Sequence, residues 1–206
     1  MLYFVGNDGK GQRLPNYVPS APAENPENYR EFSSYCNLGR PVLNADGKLV
    51  ALEQQGTSWY DGPDSAYGNQ EEMYKYYHNE NRYDIVVLDL DGSELSRAPV
   101  DIDTNNSWLN AYSTAITPDG CLLAILDQAI LAIRPDGSIA WQIQADDYVN
   151  TLINLSPDST ATVIYGMNGP EMRMIDLAEK RFGDAFSLTG LKREDVYLQS
   201  KCGISR

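Results

Sequence analysis

The stretch from Gly56 to Arg82 gathers the side chains best suited to recognition: Trp59, Tyr60, Tyr67, Tyr74, Tyr76, Tyr77 and His78 stand among Asp61, Asp64, Glu71 and Glu72. Aromatic rings stack on sugars and peptide side chains, and carboxylates between them accept hydrogen bonds or pair with cations. Trp108 is a further ligand-contact candidate. The bland alternative is a lid whose rings cover the protein's own apolar surface. Asp101, Asp103 and Asn105 place oxygen donors at alternate positions, as at the start of a calcium loop. Tyr112 stands where such a loop carries its bidentate acid, and Asx-rich turns between strands need no metal.

Catalytic sets are sparse. His78 is the only histidine, which excludes multi-histidine metal sites and leaves any serine triad dependent on one loop residue. No phosphate-binding glycine loop is present. Acid pairs suited to glycoside cleavage, such as Asp101 with Asp146, arise by chance in so acidic a chain.

The 206 residues suffice for one substantial core, and 42% hydrophobic with 22% charged residues is an ordinary globular balance. A net charge of -13 repels phosphate backbones and anionic lipid surfaces, so nucleic acid is not the expected partner. No apolar run reaches the ~20 residues that span a bilayer. Met1-Leu2-Tyr3-Phe4-Val5 has no basic region and does not read as a signal peptide. A native Met1 implies the cytoplasm; an added one leaves an extracytoplasmic location favoured. Cys36, Cys121 and Cys202 form an odd, widely spaced set without a disulfide framework, and Cys121 falls in an apolar strand as a small core residue.

These candidates need a scaffold, and internal repetition supplies it. Pro41 to Leu52, Ala115 to Ile125 and Ile153 to Ile164 each read as strand, polar turn, strand, turning at Asp46-Gly47, Asp119-Gly120 and Asp158-Ser159. Asp-Gly supplies the positive φ of a tight hairpin; Ser159 does not, so the third turn must differ. A second hairpin follows each, at Asp91-Gly92, at Asp136-Gly137 and, most weakly, near Ala178-Glu179. Asp119 and Asp158 are 39 residues apart, Asp91 and Asp136 are 45 apart. Two hairpins per unit at this period predict four-stranded propeller blades. Near-continuous apolar inner strands suit sheets buried on both faces, and no stretch carries a capped helical stripe.

Pro118-Asp119-Gly120 followed by Cys-Leu-Leu-Ala-Ile resembles the inner hairpin of YVTN, TolB and quinoprotein-like propellers. Asp136-Gly137-Ser-Ile-Ala-Trp141 is similar to the outer hairpin of quinoprotein-type blades. The likeness spans 33–187. Its glycine-plus-tryptophan docking pattern occurs once, so quinone-site residues do not carry over, and the Gly-His and Trp-Asp dipeptides of WD repeats are absent. The repeats also resemble propeller portions of Gram-positive extracytoplasmic substrate-binding lipoproteins.

The expected fold is all-β, an incomplete propeller with three full blades at 33–100, 108–144 and 148–187. Residues 1–14 read as the outer hairpin of a partial blade, 15–32 as a Pro-rich extended connector and 188–206 as a partial blade or tail. Open blade edges would favour homo-oligomers. The expected function is a non-catalytic module for a sugar, peptide or protein partner, with no cofactor beyond the calcium loop. A propeller-type hydrolase and a structural domain of a larger extracytoplasmic protein are the alternatives.

Overall fold

The structure is a computed structural model that describes the backbone at 3–5, 11–13, 16–103, 109–145, 149–155, 160–165, 171–176 and 181–183, with side chains within 16–103 and 109–145 and at Val149. The architecture is all-β, and the described residues include one α-helix, of four residues. No helix among them is long and apolar enough to cross a membrane.

Spatial order follows chain order. β1 (Tyr3–Val5) pairs with β2 (Gly11–Arg13). The next sheet holds β3 (Arg30–Leu38), β4 (Val42–Leu43), β5 (Leu49–Tyr60), β6 (Tyr77–Leu88) and β7 (Glu94–Pro99), with β3 and β4 both paired to β5. A second large sheet runs β8 (Leu109–Ile116), β9 (Leu122–Leu126), β10 (Ala129–Ile133), β11 (Ile139–Gln144). A third runs β12 (Val149–Leu155), β13 (Thr160–Tyr165), β14 (Glu171–Asp176), β15 (Arg181–Gly183). Gly47, Gly92, Gly120 and Gly137, in the four Asp-Gly turns, have φ of 73°, 89°, 85° and 86°, the left-handed region that hairpin chemistry requires. Asp158-Ser159 lies outside the described residues, as do Cys202 and the segment 188–206.

The core shows why β9 and β10 are apolar at every position. Leu122, Ala124, Ala129, Leu131 and Ile133 pack with Val50, Leu52, Tyr83 and Ile85 of the first large sheet. Their alternates Leu123, Ile125, Ile130 and Ala132 pack in a separate cluster with Ile143 and Val149, the latter on β12. Period-two alternation therefore sends successive residues into two interfaces, and neither face is left for water. The link between β3 and β4 meets β8 of the second sheet directly: Arg40 N–H bonds the Ala111 carbonyl at 3.0 Å, and Thr114 Oγ1 donates to the Arg40 carbonyl at 3.0 Å.

The other face of the first large sheet is covered by the Pro-rich connector. Residues 16–29 hold no strand, in keeping with their three prolines at 19, 22 and 26, yet they lie strapped against the sheet. Asn16 Nδ2 donates to Asp91 at 2.9 Å, and Tyr17 packs on Leu49, Val86 and Leu88.

The segment Gly56–Arg82, expected to be one long loop, begins and ends in strand. β5 and β6 stay in unbroken register from Leu49↔Leu88 to Tyr60↔Tyr77, so the loop proper is 61–76. Backbone hydrogen bonds continue the ribbon past the apolar core, because ladder pairing does not need buried side chains. Gln54-Gln55-Gly56-Thr57-Ser58 carries no apolar alternation, which hid the strand from a periodicity argument.

Candidate functional site

Beyond Glu53 and Asp84 the β5–β6 ribbon runs clear of β7, which ends opposite Asp84 at Pro99. Side chains alternate between its two faces. One face carries Glu53, Gln55, Thr57 and Trp59 opposite Asp84, Arg82, Glu80 and His78; the other carries Gln54, Gly56, Ser58 and Tyr60 opposite Tyr83, Asn81, Asn79 and Tyr77.

The first face begins in a buried charged cluster. Glu53 and Asp84 are directly opposite and almost fully buried, an arrangement that repels unless a cation intervenes. Arg97 supplies it, paired with Glu53, 3.4 Å from Asp84 and 2.8 Å from Glu94. Burial alone would raise the Glu53 pKa. Hydrogen bonds from Arg97, the Ser20 N–H and the Tyr17 hydroxyl outweigh it and hold the group down to about 2. Burial, then the bond to Glu53, drives the Tyr17 phenol far up. Burial, then the Glu53 charge, pushes the Cys36 thiol up to about 11, which makes it a poor nucleophile. Its pairing with Arg97, Tyr17 and the Ser20 N–H makes the cluster an anchor for the ribbon's base.

Next along this face lies a polar cleft of about 280 Å³ lined by Gln55, Thr57, Glu80, Asn81 and Arg82. The Arg82 side chain is 63% exposed and is held from below at 3.2 Å by Asp84, whose side chain is 2% exposed. At the tip, Trp59 lies between Tyr29 and His78, with ring centroids 5.8 and 5.1 Å away and both stacked. His78 Nε2 stands 3.0 Å from Asp61.

The opposite face of the tip is closed by 61–76. Tyr60 is buried, donates to the Pro63 carbonyl at 2.8 Å, and meets Tyr67 and Tyr76 edge-on. A bulge at the start of β3, with Glu31 at φ 54°, swings two neighbours toward this loop. Arg30 pairs with Asp64 at 2.7 Å and covers the Tyr67 ring at 4.5 Å; Glu31 accepts the Tyr67 hydroxyl. The short helix α1 (Gln70–Met73) and a 3-10 turn (Tyr74–Tyr76) then border a second cleft, about 410 Å³, lined by Gly68, Gln70, Met73, Tyr74 and Tyr77.

The expected site residues therefore divide. Trp59 has both ring faces occupied, while Tyr60 and Tyr76 build the tip's own small core. Tyr77 borders the second cleft and donates to Ser58 at 3.3 Å. Tyr74 is 69% exposed beside that cleft, and Tyr67 is partly exposed. Trp108, Asn105 and Asp146 lie outside the described residues. Asp101 follows β7 with its N–H bonded to the Gly137 carbonyl at 3.1 Å, and no group of three or more His, Cys, Asp or Glu converges as a metal site among the described residues. The sequence reading missed Glu53, Asp84, Arg97 and Arg82. The signal was available in one form, acidic residues interrupting the apolar runs at Glu53 and before Ile85, but their pairing needs the register.

No family model and no curated protein matches the chain. Among solved structures it is similar to a protein of unknown function from Bacteroides caccae, with 13% identity, a TM-score of 0.46 and coverage of 71% of this chain. The alignment covers 44% of that protein's length, so the chain spans less than half of its structural neighbour.

Proposed function

We propose that this chain is a non-catalytic binding module in which consecutive sheets, stacked as the blades of an incomplete propeller, carry the β5–β6 ribbon as the recognition element for a polar ligand. A peptide, a carbohydrate or a protein surface all fit that description. The blade reading is supported by the way neighbouring sheets touch. The link between β3 and β4 meets first strand β8 at Arg40 and Ala111, and the end of outer strand β7 meets the turn before outer strand β11, where a side-chain carbon at Gly137 would collide with the Pro99 carbonyl. Around a common axis, inner strands converge and outer strands follow one another.

The observation that carries the binding reading is a difference in length between equivalent strands. β5 and β6 have twelve residues each, β9 and β10 five each. Apart from Tyr83 at its base, the added ribbon stands outside the cores shared between the described sheets and borders two clefts. Elements that extend from a rigid scaffold without serving its core are where recognition is built.

The test replaces residues 61–76 by Asn-Gly and compares thermal shifts against a panel of oligosaccharides and peptides. A ligand that raises the Tm of the parent and not of the shortened protein is the expected result. Equal shifts for both would remove the loop 61–76 and the cleft it borders from the site.

A further inference from the structure

We propose that the polar cleft on the β5–β6 ribbon binds a small zwitterion, with its carboxylate on Arg82 and its ammonium on Glu80. This rests on reading the ribbon as the recognition element and names the ligand class of one of its clefts.

Arg82 and Glu80 are two residues apart in β6, so both side chains stand on one face of the ribbon, opposite Gln55 and Thr57 of β5. Opposite charges at that spacing are able to pair with each other, and here they do not. Arg82 turns the other way along the strand, and its Nε and Nη2 donate to Asp84 Oδ1 at 3.3 and 3.2 Å. Glu80 is exposed and enters no ion pair or hydrogen bond among the described residues.

Asp84 fixes the guanidinium from below. Its side chain is 2% exposed, and its other carboxylate oxygen lies 3.4 Å from both Arg97 and Gln55. What Arg82 then presents follows from its shape, a planar fork of five N–H donors. Bonding through Nε and Nη2 spends the edge that runs alongside the side chain. The end formed by Nη1 and Nη2 keeps two parallel N–H groups, and 63% of the side chain is exposed. That end matches a carboxylate through two parallel bonds.

Glu80 supplies the complement, a carboxylate open to an ammonium group, with the Thr57 hydroxyl across from it. Gln55 spends its amide nitrogen on Glu53 and Asp84, which leaves its carbonyl oxygen as a further acceptor. The cleft measures about 280 Å³, at the small end of the ~300–1,000 Å³ of ligand pockets, so it suits a small molecule. Same-face neighbours on a strand lie roughly 6.8 Å apart, and Arg82 leans away from Glu80, so a short chain must separate the ligand's two charges. A net charge of -13 disfavours a plain anion, whereas a zwitterion adds no charge to that field.

The probe is γ-aminobutyrate, titrated against the full chain with chemical shifts read at the Glu80 and Arg82 amides and at Arg82 Nε. Butyrate and butylamine each carry one of its two charges. A Kd below about 10 mM is expected, with affinity at least about fivefold above either single-charge analogue, as two partly exposed ionic contacts give. Glu80→Gln removes no bond among the described residues, so the Tm is expected to stay and γ-aminobutyrate to fall to the affinity of butyrate. Arg82→Lys keeps the charge without the fork and is expected to weaken γ-aminobutyrate and butyrate about threefold, leaving butylamine unchanged. Butyrate or butylamine binding as tightly as γ-aminobutyrate, or no binding up to about 50 mM, would overturn this inference and leave the ribbon reading intact. The ribbon reading itself falls if the ligands that raise the Tm of the parent ignore both these substitutions and the loss of 61–76.

Discussion

At Glu53, burial and hydrogen bonding act on one carboxyl in opposite directions, and the hydrogen bonds prevail. A folded-state pKa near 2, against an ordinary value of 4.5, means that folding favours the ionised form. The resulting stability is fully present above about pH 4.5 and is lost as pH falls toward 2. Urea denaturation from pH 6 to pH 2 is expected to show this loss, and Glu53→Gln to flatten the profile over that window. At neutral pH, Glu53→Ala is expected to cost about 3–5 kcal/mol, because Arg97 keeps a buried charge with its best partner gone. Replacing Glu53 and Arg97 together by leucine and methionine is expected to recover much of that loss, and a double-mutant cycle reads the coupling. None of this was legible residue by residue. Glu53, Asp84 and Arg97 are separated by 31 and 13 positions, and only the β5–β6–β7 register makes them neighbours.

Elements were legible where the chemistry is local. Asp-Gly between apolar runs carries its hairpin wherever it stands, because positive φ belongs to the glycine itself. Gly137 is doubly constrained, by its φ of 86° and by the Pro99 carbonyl. Gly137→Ala is expected to destabilise by about 2 kcal/mol or more, whereas the same change at Gly47, which has open space around it, should cost roughly 1 kcal/mol. Comparing the two by chemical denaturation separates backbone strain from collision between sheets. The ribbon was misread as a loop because its strands are polar on both faces. The exchange of 61–76 for a two-residue turn is expected to leave the unfolding transition cooperative, since the tip's tyrosines pack on one another and not on the shared core.

At the scale of the whole molecule, two clusters bind three sheets through one middle sheet. Leu131 sits in the cluster between the first and second large sheets. Leu131→Ala is expected to cost about 2–5 kcal/mol and to weaken hydrogen-exchange protection in β5 and β6 as well as in β9 and β10. On the outer face of the first large sheet Tyr17 packs over Leu49, Val86 and Leu88. Tyr17→Ala is expected to uncover Leu49, Val86 and Leu88 and to raise the mass seen by light scattering, an association that edge repulsion from the net charge would limit at low salt.

Periodicity, turn chemistry and composition sufficed for all-β character, for the hairpin positions and for inner strands buried on both sides, because each is a property of a few consecutive residues. Which carboxylates face each other and which aromatic rings are spent on their own scaffold are relations between distant segments. Those depended on register and on the contact of one sheet with the next, which tertiary packing alone decides.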